Sequence, residues 1–181
     1  MKLGLTLLRM IVGALFFGHG TQKLFGWFGG HGIEGTAGFF ESIGLKPGRK
    51  HATAAGAAEA GGGALLALGF LTPAAAASLI GVMATAINKV HAKNGPWATD
   101  GGYEYNLALI AIMVALADVG PGDVSLDHAL GIEVKGPLVA LLALAAGIGG
   151  AAVLTGGASQ AAEPVPAPTD TPEPAEAPAP A

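Results

Sequence analysis

"LGLTLLRMIVGALFFGHG", Leu3 to Gly20, decides what kind of molecule this is. Apart from Arg9 it carries no strong charge, and it nearly reaches the roughly 20 apolar residues a helix needs to cross a bilayer core. Four similar runs come after it. Ala52 to Leu71 holds only Glu59, Pro73 to His91 meets its first charge at Lys89, Asn106 to Val119 extends back through Tyr103 and is broken late by Asp118, and Pro137 to Leu154 has no charge. A soluble helical core does not explain them, because each helix would need a charged outer face. Only 12% of the 181 residues are charged and 51% are apolar, with a mean hydropathy of +0.55, whereas soluble domains carry about 25% charged residues. Nor is the first run a cleaved signal peptide, since no small-x-small site succeeds it. Five helical spans are expected. The second and third, joined by "LTP" with Pro73 at a helix start, form an antiparallel hairpin.

The net charge of -4 offers no basic face to nucleic acid. There is no cysteine, which excludes disulfides, thiolate metal sites and thiol redox chemistry on this chain. Between the first two spans, Trp27 and Phe28 stand where an interfacial aromatic belt belongs. Ile33, Ala37, Phe40 and Ile43 then recur at helical spacing, with Glu34 and Glu41 off the stripe. The segment 26–46 is read as a short interfacial amphipathic helix, a hydrophobic loop over the bundle mouth being the other reading. From Gly156 onward come seven of the twelve prolines, four acidic residues and no basic one, the composition of a disordered tail. Lys23, Lys46, Arg49, Lys50, Lys89 and Lys93 fall on one side of five alternating spans, and Lys2 and Lys135 on the other. The positive-inside rule then predicts an outside N-terminus and a cytoplasmic tail.

Charge inside a bilayer needs a partner or a wet cavity, at an insertion cost of about 2.5 to 3.5 kcal/mol. If His19 and His51 mark the same surface, Arg9 and Glu59 lie at similar depth, and an Arg9–Glu59 ion pair is the simplest way to neutralise both. "AAGAAEAGGGA" around Glu59 lets a neighbouring backbone come close. A second polar group gathers at the cytoplasmic mouth: His19 and Lys23 share a face if the first helix continues through "HGTQK", Asn88 and His91 end the third, and Glu104, Tyr105 and Asn106 open the fourth. For His19, Asn88, His91 and Glu104 a shared site and separate solvation are both open. Lys89, Lys93, His31 and His51 are read as solvated interfacial residues. His19 and His91 as axial haem ligands are the weaker reading. No compact zinc ligand pair or phosphate loop occurs, and no metal is expected.

"LLRMIVGALFFGHGTQKLFGWFGG", "AAEAGGGALLALGFLTPAAA", "ATAINKVHAKNGPW", "GYEYNLAL" and "DVGPGDVSLDHALG", in this order, resemble the DoxX family of small bacterial membrane proteins. Arg9, His19, Lys23, Glu59 and Asn88 stand at positions that recur in that family. The resemblance implies an all-α transmembrane four-helix bundle over residues 1–131, linked to quinone-connected oxidation of sulfur compounds or thiols through partner proteins. Residues 132–155 add a fifth C-terminal hydrophobic helix and 156–181 the Pro/Ala-rich tail, both departures from the family pattern.

The leading expectation is a multi-pass protein of the bacterial cell membrane acting as a redox subunit. Quinone would be its cofactor, not covalently bound, with Arg9, His19, Lys23, Asn88 and His91 as binding residues and Glu59 and Glu104 as proton-exchanging ones. Its partners would be the bilayer and a soluble redox protein, with a homo-oligomer left open. The alternative is a non-catalytic membrane anchor or assembly factor that recruits such a partner.

Overall fold

The computed structural model describes residues 3–156, which contain helices and no strand. Five long helices stand where the apolar runs lie: α1 (Leu3–Phe25), α3 (Gly48–Leu68), α4 (Thr72–Ala86), α5 (Glu104–Val119) and α7 (Pro137–Gly156). Two short ones, α2 (Gly32–Ser42) and α6 (Leu126–Ala129), fill connections. Beyond α4 the chain continues through a π-helical turn, Ile87–His91, and a tighter turn, Ala92–Asn94. Three rods are long and apolar enough to cross a bilayer: Leu3–Phe25, Thr72–Asn94 and Pro137–Gly156.

The expectation of five equal spans is corrected to that extent. α5 has 16 residues, about 24 Å at the helical rise and short of a core about 30 Å thick. α3 is long enough but dilute in apolar side chains. It packs against α1, α2 and α4, so little of its surface has to match lipid. The expected disordered tail lies, from residue 157 onward, outside the described residues.

Small residues set the closest contact. A Cβ on Gly13 would overlap the backbone of Gly63 and Ala67, and one on Gly20 that of Gly56 and Ala60. With lipid as apolar as any side chain, helices associate in a membrane through such close packing. α7 docks on α4 in the same manner, Gly147 lying against Ala77 and Ile80. Leu79, Ile80, Met113 and Leu116 are fully buried between α4 and α5, and Val12, Phe16 and Leu66 extend this core to α1 and α3.

The segment between α1 and α3 is helical, as the amphipathic reading expected. α2 buries Thr36 and Ala37 and leaves Glu34, Phe39 and Glu41 outward. A turn at Trp27–Gly29 leads into it, with Phe25, Trp27 and Phe28 exposed and in ring contact with one another.

Arg9 and Glu59 do not pair with each other. Arg9, 2% exposed, donates through Nη1 to Leu66 O at 3.2 Å and Ala67 O at 2.5 Å, and through Nη2 to Val124 O. Nearby, the Asp127 carboxylate accepts from Leu71 N at 2.7 Å, Thr72 N at 3.0 Å and Thr72 Oγ1 at 2.7 Å. The expected register fails because α1 does not stop near His19. It runs on to Phe25, and Gly20 lies against Gly56 and Ala60, which brings His19, not Arg9, level with Glu59. Six more residues of helix add about 9 Å.

Candidate functional site

The C-terminal end of α1, the N-terminal halves of α3 and α5, and the C-terminal ends of α4 and α7 meet at one end of the bundle, roofed by α2. They enclose a cavity of about 620 Å³ with mainly apolar walls. Lys23 and Glu59 meet on its inner surface. Lys23 Nζ lies 2.5 Å from Glu59 Oε2, and the two side chains are 25% and 5% exposed. Glu59 is eleven residues into α3, about 16 Å from its start. A carboxylate at that depth requires a counter-charge, and Lys23 supplies it because α1 is unbroken through "HGTQK".

His19, one turn before Lys23, also lines the cavity. Its Nδ1 lies 3.0 Å from Gln22 Oε1, while Gln22 Nε2 donates to Phe28 O at 3.3 Å. The amide is thereby oriented with its oxygen towards the ring, so Nδ1 carries the proton and Nε2 is left to accept. His91 is arranged likewise: Nδ1 lies 2.7 Å from the Gly101 carbonyl, which only accepts. Asn106 is buried on the same wall with Nδ2 3.4 Å from Met83 Sδ.

Of the residues proposed from sequence, the structure brings His19, Lys23, Glu59 and His91 to one cavity. Asn88 is exposed, and Glu104 is exposed and accepts from Ala98 N at 2.7 Å; neither lines the cavity. Arg9 belongs to the opposite end. His51 and Lys89, read as solvated, line the cavity instead. The π turn accounts for Lys89. An extra residue in one turn rotates the rest of the helix by about 100° relative to an unbroken α-helix. Asp127 went unnoticed as a polar anchor. Its signal is indirect: α4 begins at "LTP" without a capping side chain of its own, so its first amides need an acceptor from elsewhere.

Comparison with known proteins supports the same placement. The DoxX family model matches residues 4–92. A Bacillus subtilis (strain 168) protein named "Putative oxidoreductase CatD" is 35% identical over 119 residues, covering 64% of this chain and 79% of that protein. No solved structure gives a significant match.

Proposed function

The chain belongs to the DoxX family of membrane proteins, and from that premise we propose that it is the membrane subunit of a quinone-linked oxidoreductase whose quinone site is the cavity at the bundle mouth. One observation carries the reading: an apolar-walled space of about 620 Å³ with the Lys23–Glu59 pair on its inner surface. Sites for small organic molecules span about 300–1,000 Å³ and combine apolar walls with a few polar groups. The relative's name, an oxidoreductase, points the same way.

A bound quinone supplies the acceptor of two electrons and two protons. The residues bind it and manage its protons. Lys23 donates a hydrogen bond to a carbonyl oxygen, and the free Nε2 atoms of His19 and His91 accept from the hydroxyls of the reduced form. Glu59 exchanges protons with an oxygen of the headgroup. With no cysteine in the chain, electrons from a thiol or sulfur compound enter through a soluble partner. The basic residues Lys46, Arg49, Lys50 and Lys93 flank the mouth end, which supports a cytoplasmic mouth and a partner on that side.

Two variants test this in native membranes. Glu59→Gln should lower quinone reduction at least tenfold at unchanged protein level. Gly150→Phe should fill the cavity, because Gly150 lines it and a Cβ there meets no atom within 4 Å. It should weaken binding of a photoreactive quinone analogue about tenfold. Normal labelling and turnover in both variants would refute the site. Turnover that changes only when a partner ceases to co-purify would favour the anchor reading.

A further inference from the structure

The Lys23–Glu59 pair borders two spaces. Behind α2, towards the outer surface, lies a second cavity of about 340 Å³ whose walls include Gln22, Gly30, His31 and Thr36. Lys23, Phe39 and Phe40 line both cavities, whereas Glu59 and His19 face only the larger and Gln22 and His31 only the smaller. The partition is therefore made of two aromatic rings and two polar links. One link is Lys23 Nζ to Glu59 Oε2 at 2.5 Å, and the other is Gln22 Oε1 to His19 Nδ1 at 3.0 Å. On the smaller side the lining is amide, imidazole, hydroxyl and glycine backbone, and His31 is exposed at its edge. Such a space holds water, because each water finds several polar partners there.

We infer that the cavity behind α2 is an aqueous vestibule that feeds protons to the larger cavity, with Lys23 as the carrier across the partition and Glu59 as the receiving group. The inference rests on the redox reading above for its purpose but not for its geometry. The Lys23 Nζ–H bond breaks as an O–H bond forms on Glu59 Oε2. Glu59 then gives that proton to an oxygen of the bound acceptor and returns to carboxylate, while a hydronium ion in the vestibule reprotonates Lys23. One proton enters for each delivered. The electrons arrive separately from the soluble partner. Phe39 and Phe40 keep bulk water out of the apolar side, where it would compete for every hydrogen bond to the headgroup.

The absence of cysteine makes the full-length chain a clean background for thiol mapping in membrane vesicles. Single variants His31→Cys, Thr36→Cys and Ala58→Cys should separate under a charged, membrane-impermeant thiosulfonate, with labelling read by mass. The first two should react at least tenfold faster than the third, which lines only the larger cavity. Thr36→Cys as unreactive as Ala58→Cys, with the reagent presented from either face, would overturn the vestibule.

Lys23→Arg then separates carrier from strut. Arginine keeps the ion pair but does not release its proton in the physiological range. Unchanged thermal stability and quinone-analogue binding with turnover down at least tenfold is the expected outcome. Retained turnover would overturn the carrier role and leave the pair structural. If the wild-type protein reduces no quinone, the redox reading and the proton traffic fall together, and the labelling pattern alone decides whether the vestibule exists.

Discussion

A double-mutant cycle on Lys23 and Glu59 measures whether the charge pair at the heart of the site is coupled as tightly as its geometry demands. At 2.5 Å and an effective dielectric constant of about 20, the attraction between unit charges is about 7 kcal/mol. Desolvating a carboxylate that is only 5% exposed and an ammonium that is 25% exposed offsets more than half of this, leaving about 3 kcal/mol as the cost of breaking the pair from one side. Lys23→Met strands the Glu59 carboxylate at depth and should destabilise by about 3 kcal/mol. Glu59→Gln should cost about 2 kcal/mol, since Lys23 can reach towards the vestibule and water. The double variant leaves neither charge and should lie within about 1 kcal/mol of wild type, giving a coupling of about 4 kcal/mol. The assay is reversible denaturant unfolding in a mild detergent, monitored by helical circular dichroism. Single-variant effects that add to within about 0.5 kcal/mol, the behaviour of independent sites, would show that the two side chains do not interact.

Two further outcomes concern the scaffold. Gly20→Leu should wedge α1 from α3, costing about 3 kcal/mol or preventing accumulation, whereas Gly18→Leu, whose Cβ meets no atom within 4 Å, should be neutral or mildly stabilising. Equal effects in a thermal-stability assay would refute the proposed interface. Asp127→Asn turns one oxygen of a carboxylate that accepts three hydrogen bonds into a donor facing a donor. It should cost about 2 kcal/mol of stability while leaving quinone-analogue affinity within twofold, and a selective loss of binding would contradict the separation of the two ends.

The positions of the five long helices were legible from the apolar runs, and α2 from the stripe Ile33, Ala37, Phe40 and Ile43. The close approach of α1 and α3 was legible in the glycines around Glu59. Register was not. Gly18 and Gly20 suggest an ending for α1, yet Gly20 serves as contact surface against α3, and the helix passes through it to Phe25. That shift replaced the expected Arg9–Glu59 pair by Lys23–Glu59. Helical spacing made His19 and Lys23 neighbours on one face but could not tell which face of α4 carries its terminal residues. The π turn at Ile87–His91 decides that, bringing Lys89 and His91 to the cavity while Asn88 stays outside. Asp127 escaped notice because a cap supplied from 55 residues away leaves no local pattern.

That remote cap has a bearing on how the protein is made. The amides of Leu71 and Thr72 emerge from the ribosome long before Asp127 exists, and Arg9 earlier still, 115 residues ahead of the Val124 carbonyl it finally holds. The α3–α4 hairpin therefore enters the lipid with an unfinished corner, and the guanidinium waits for a ligand not yet translated. Completion of the bundle is timed by synthesis of the loop after α5. A nascent chain arrested before residue 127 should remain a substrate for quality-control proteolysis, and one arrested past α6 should not.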